Sequence, residues 1–130
     1  MAYKKNVGRQ DALYLKQDIV FGDVPTAGEY ELANLPEGAC VLSGHIYTSS
    51  GADATGTITL TVEDKDGNAV DTLSGALDVT AVGIDAITPT GETYSVPSFI
   101  KGTTNVDFTQ GAFELVVGYI VEGRACVSEG

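Results

Sequence analysis

Hydrophobic and polar positions alternate along much of the chain. The clearest stretch covers residues 56–63, where Ile58, Leu60 and Val62 point one way and Thr57, Thr59, Thr61 and Glu63 the other. Successive strand side chains lie on opposite faces, so this pattern predicts a strand with one buried face. A second strand is expected over residues 39–49, with Cys40, Leu42 and Ile46 on one face and Val41 and Tyr47 on the other. A third covers residues 112–122. There Phe113, Leu115, Val117, Tyr119 and Val121 share a face, and Val116 and Ile120 make the opposite face partly apolar. Such a strand belongs at the centre of a sheet, or has its second face covered by a partner. Shorter strands are expected over residues 12–21, 29–32, 70–73, 77–82, 92–96 and 106–109. No helical stripe exceeds two turns, although residues 10–17 have the propensity for a short helix.

Composition supports the all-β reading. Val and Thr occur 14 times each and Ile 7 times, and these β-branched residues suit strands. Sixteen glycines and four prolines punctuate the chain at short intervals. Eight or nine short strands in 130 residues predict one domain, a β-sandwich of jelly-roll-like type or a small barrel. The expected division is an N-terminal arm, residues 1–11, and a sandwich domain, residues 12–130.

Charge adds a polarity to this picture. The chain carries 7 basic and 18 acidic side chains, a net charge of −11. Within residues 1–16, Lys4, Lys5, Arg9 and Lys16 face Asp11 alone, a net +3; the remaining three basic residues face seventeen acids, a net −14. A basic arm thus precedes an acidic body. The arm is either a solvated terminus or a segment that docks on an acidic surface. The acidity disfavours nucleic-acid binding, which depends on neutralising phosphates, and disfavours anionic membrane surfaces in the same way. No apolar run has the length of a membrane helix, and no continuous apolar segment follows the first basic residues, so neither a membrane span nor a signal peptide is expected.

Candidate chemistry is sparse. Asp64, Asp66, Gly67 and Asn68 resemble the start of a calcium loop, but the positions that should hold Gly and Glu hold Ala69 and Gly75. A hairpin turn is the favoured reading, with a weak cation site as the alternative. Cys40 and Cys126 are the only cysteines; a buried free thiol is expected at Cys40, and a bridge between the two is disfavoured. The single histidine, His45, has neither a nucleophile context nor the companions of a zinc set. Six scattered tyrosines and no tryptophan argue weakly for sugar binding. No catalytic residue, metal ligand or cofactor is therefore assigned, and a binding or structural protein is expected rather than an enzyme.

Three strings carry a resemblance. Residues 5–12 (KNVGRQDA) form a short arm before the β domain, residues 35–39 (LPEGA) lead into a strand, and residues 118–125 (GYIVEGRA) close the last strand. Together these resemble the small β-rich virion proteins of tailed bacteriophages, of the capsid cement or decoration type. The resemblance implies a protein made in the bacterial host cytoplasm and placed on the capsid exterior. There it would bind the major capsid protein as a symmetric homo-oligomer, with a trimer the expected form. On this reading the contact residues are Tyr3, Lys4, Lys5, Val7 and Arg9 of the arm. A second set, Val96, Pro97, Phe99 and Ile100, lies in a stretch where a proline discourages a central strand; its plainer reading is a loop tucked into the core. Two alternatives stay open: a tail or head–tail joining component, and an immunoglobulin-like or carbohydrate-binding surface module.

Overall fold

The structure, a computed structural model, describes residues 12–121. Eight strands occupy most of them: β1 (Leu13–Val20), β2 (Gly28–Leu35), β3 (Ala39–Ser50), β4 (Thr57–Asp64), β5 (Ala69–Asp78), β6 (Gly83–Ala86), β7 (Ser98–Thr104) and β8 (Ala112–Val121). A single 3₁₀ turn, Phe21–Asp23, follows β1. The strands form two four-stranded sheets, ordered β1-β8-β3-β6 and β2-β7-β4-β5, in which every neighbouring pair is antiparallel. The pairings nest: β1 with β8, β2 with β7, β3 with β6, β4 with β5. This is the pattern of one long hairpin wound on itself, with β3–β8 and β4–β7 pairings closing the turns of the roll.

The inward faces of both sheets meet in one core containing Val41, Ile46, Ile58, Leu60, Val62, Leu73, Ile100, Leu115 and Val117. In β4 the buried residues are Ile58, Leu60 and Val62, as the alternation requires. In β8 they are Phe113, Leu115, Val117 and Val121, and the strand lies between β1 and β3. Its central position accounts for the apolar residues on both of its faces.

Several expectations are corrected. The expected strand over residues 12–21 is β1, Leu13–Val20, and the short helix allowed for in the same region is not formed within its described residues, because β1 pairs along its length with β8. In β3 the assignment of faces fails at a bulge: the pairing with β8 shifts between Val41 and Ser43. A bulge inserts one unpaired residue and flips the parity beyond it. Ala39 and Val41 therefore point inward on one side of it, and Ile46 and Thr48 on the other, while Leu42 is left 50% exposed. Cys40 points outward and is half-buried rather than fully buried; the 87–97 loop lies against it, and its thiol donates to the Gly91 carbonyl at 3.4 Å. Residues 70–73 and 77–82 do not make two strands; β5 runs continuously from Ala69 to Asp78. Residues 92–96 contribute one isolated bridge, Cys40 to Thr93, and residues 106–109 form a loop that buries Phe108 against Phe113.

The largest correction is β7. Directly after Pro97 the chain enters a strand between β2 and β4, so it is central rather than a loop. Its inward residues are Ser98, Ile100, Gly102 and Thr104 and its outward ones Phe99, Lys101 and Thr103, so Ile100 is the one large apolar side chain facing the core and Phe99 points outward. Gly102 faces inward because the Leu32 side chain fills the space a Cβ would take. The buried Thr104 hydroxyl is satisfied by donating to the Thr26 carbonyl at 3.2 Å.

Candidate functional site

One end of the sandwich gathers most of the segments singled out from the sequence. β1 begins there, opposite the end of β8, with Leu13 paired to Tyr119 and Ala39 to Val121. Residues 36–38 join β2 to β3 at the same end, and residues 65–68 join β4 to β5. The 87–97 loop reaches it to enter β7. Tyr3, Lys4, Lys5, Val7 and Arg9 lie outside the described residues, but the described chain starts from this end, at Ala12.

The 87–97 loop is held by Tyr94. Its ring is 2% exposed, its backbone N–H donates to the Ala39 carbonyl at 2.8 Å, and its carbonyl accepts from Gly38 N–H at 2.7 Å. Its hydroxyl donates to Asp71 Oδ2 at 2.8 Å, and Thr90 Oγ1 donates to the same oxygen at 2.6 Å. Burial first, then the hydrogen bond to Asp71, pushes the Tyr94 hydroxyl far above the usual tyrosine range, so it remains a donor. This anchor fixes the position from which Val96 and Pro97 project.

Val96, 41% exposed, and exposed Pro97 line a depression of about 310 Å3 with Asp64, Lys65 and Asp66 of the β4–β5 turn. That turn is a hairpin connection. Asp64 Oδ1 accepts the backbone N–H groups of Asp66 and Asn68, both at 2.9 Å, and Gly67 takes the positive φ of 83° that the turn needs. The bond from the Asn68 N–H leads the causes that hold Asp64 below the ordinary carboxylate range. Among the described residues no three His, Cys, Asp or Glu side chains converge as a metal ion would require. Of the second contact set, Val96 and Pro97 are on the surface and Phe99 is half-buried on the outer face of its sheet. Ile100 is fully buried, so its side chain has no surface to offer.

The two outer faces of the sandwich differ in chemistry. On β2-β7-β4-β5 the outward positions are mostly polar: Glu29, Glu31, Thr59, Thr61, Glu63, Lys101 and Thr103. A hydrogen bond that the protonated Glu63 carboxyl donates to Glu29, and then burial, raises the pKa of Glu63, with Lys101 opposing. On β1-β8-β3-β6 the outward positions include Tyr14 (71% exposed), Tyr47, Ile84 (66% exposed), Val116 and Ile120. Tyr14 lies across Gly118, where a Cβ would come 2.8 Å from its ring. His45 sits on this face between Val116 and Ala86. Sequence reading found Val116 and Ile120 but not Tyr14 or Ile84, which become neighbours of this face only once strand order is known.

The opposite end is knitted by side chains. Asp53 accepts the Thr109 hydroxyl at 2.7 Å and the N–H groups of Thr109 at 3.0 Å and Gln110 at 3.2 Å, and the Thr109 hydroxyl is the main cause of its lowered pKa.

A scan against protein-family models finds no match, and a search of curated proteins finds none either. Solved structures do match. A chain from the acidic stable capsid structure of Helicobacter pylori bacteriophage KHP30 superimposes with a TM-score of 0.60 at 21% identity, over 85% of this chain and 87% of that one. A chain of the cyanophage Pam1 capsid asymmetric unit gives 0.61 at 21% identity, over 93% of this chain and 92% of the other. The fold is that of phage capsid chains. A chain of the capsid of Ralstonia phage GP4 agrees, with a TM-score of 0.62 at 20% identity over 87% and 85% of the two chains. The similarity spans the sandwich as a whole, not one sheet of it. The immunoglobulin-like alternative does not fit this topology, since β2 pairs with β7 alone, whereas the immunoglobulin order places the second strand beside the first.

Proposed function

We propose that this chain is a structural protein of a phage virion, a cement or decoration protein that binds the capsid exterior and reinforces it. The observation that carries this reading is the reciprocal extent of the fold match. Between 85% and 93% of this chain and of each capsid chain is covered, so the shared fold extends over most of both chains. The nested pairings support classing the sandwich as a jelly roll. The surfaces support a binding role over catalysis: a partly apolar sheet face, and one end where a fixed apolar loop stands beside the start of a basic segment. On this reading the partners are the major capsid protein and further copies of this chain, arranged by the shell's symmetry. Each copy contributes modest contacts, and the symmetry multiplies them.

The partner-binding residues proposed are Tyr3, Lys4, Lys5, Val7 and Arg9 of the arm, together with Val96 and Pro97 of the 87–97 loop. Reversing Lys4, Lys5 and Arg9 together to Glu should reduce co-sedimentation with phage heads at least tenfold, while the melting temperature stays unchanged. Full retention of head binding by the triple variant would remove the arm as the anchor. Sedimentation with tails instead of heads would select the tail component reading.

A further inference from the structure

We infer that the depression lined by Val96, Pro97 and Asp66 is the docking site for the basic N-terminal arm, residues 1–11, of a second copy of this chain. The inference rests on the homo-oligomer part of the proposed function and names the surface through which copies join. Three observations converge. The depression is lined by the apolar Val96 and Pro97 and by Asp64, Lys65 and Asp66, a net −1. Among the described loop residues of this end, Glu37, Asp64, Asp66 and Glu92 stand against Lys65, a net −3. Residues 1–11 have the complementary composition, with Lys4, Lys5 and Arg9 against Asp11, a net +2, and Tyr3 and Val7 as apolar side chains between and beside the cations. A tyrosine followed by two lysines suits a partly apolar depression that carries two carboxylates.

Connectivity favours a second copy as the source. Eleven residues span at most about 36–40 Å. To reach its own depression, the arm must cross from β1, which packs beside β2, to the β4–β5 turn in the opposite sheet, about 10 Å between sheets plus two to three strand spacings of about 5 Å each. The residues next to Ala12, Arg9 among them, are then spent as a tether. Supplied by a neighbour, the arm brings Tyr3, Val7 and all three cations to the site. The arm's root and the depression share one end of the molecule, so each copy both gives and receives there. A head-to-tail contact of this kind forms a ring when the rotation between successive copies closes.

The test is complementation in solution, with no capsid present, so its outcome is independent of virion binding. Full-length protein, a variant lacking residues 1–11, and the double variant Asp66→Lys with Val96→Lys are weighed by native mass spectrometry. Both substituted positions are exposed, and neither side chain holds the turn together. The expected result is an oligomer for the full-length chain and a monomer for each variant alone. Mixing the two variants should restore a heterodimer, in which the arm of one fills the intact depression of the other. A monomeric full-length chain, an assembling arm-deleted chain, or a mixture that stays monomeric would each overturn the inference.

Discussion

At Gly44 a Cβ would lie 2.7 Å from the Val116 carbonyl oxygen and 2.9 Å from Ile87 Cδ1. The first neighbour is backbone and cannot swing away, so strand β3 must shift. Gly44→Ala should cost about 1–3 kcal/mol, as overpacking does, measured by denaturant unfolding. Gly75→Ala, with open space around the new methyl, is the control and should change little. At Tyr94 the residue-scale account rests on one hydroxyl. Tyr94→Phe leaves the ring in the core but deprives Asp71 of a donor; a hydrogen bond to a charged group contributes about 1.5–3 kcal/mol, and the unfolding midpoint should fall accordingly. In an absorbance titration of the wild type, Tyr94 should stay protonated well above the usual tyrosine range. Neither role was legible in the sequence. A glycine among strand residues looks like any other, and the donor and acceptor of the Tyr94–Asp71 bond stand 23 residues apart.

Strand β4 was legible residue by residue, because one face meets the core and the other meets solvent, which is the condition under which alternation is informative. Strand β8 was legible for the same reason, with the second apolar face marking its central place. β3 was legible only as far as its bulge, since the extra residue at Leu42 breaks the period that the reading assumes. β7 was hidden because small and polar residues occupy its inward positions and Phe99 its outward side. The four-residue β6 is an edge strand too short for any period to register. Side-chain caps add a pH dependence to these elements. In Asp53 and Asp78 hydrogen bonds from threonine hydroxyls are the leading cause of a pKa below 3.8, and in Asp64 the Asn68 N–H plays that part. Such groups stabilise the fold fully above the unfolded value and lose that contribution as pH falls through the lowered folded value. The melting temperature should therefore drop on acidification below about 3.8, and Asp53→Asn should drop less steeply. Glu63 has the opposite sign. Its pKa is raised above 4.5 by Glu29 and burial, so its stabilising contribution is present at low pH and lost as pH rises through the raised value. Glu63→Gln should raise the melting temperature at neutral pH.

For the whole molecule, the uneven charge matters more than its total. A −11 chain is acidic on average, but the basic segment attaches at an end of the sandwich whose own loops are acidic. The sequence contained both halves of that relation, and only the fold brings residues 36–38, 64–68 and 92–97 to the place where the described chain begins. The fold class could be anticipated from alternation and composition; the wound-hairpin order could not, because pairings such as β1 with β8 are set by cooperation of distant segments. That order is what aligns this chain with the phage capsid chains at about one-fifth identity.

The central claim, a place on the outside of a phage head, is tested most directly by cryo-electron microscopy of heads incubated with the purified protein. Added density for this sandwich is expected at symmetric positions on the outer surface, with Ala12 and the Val96–Pro97 loop turned toward the contacts. Heads that show no added density at saturating protein, or density on the tail alone, would contradict it.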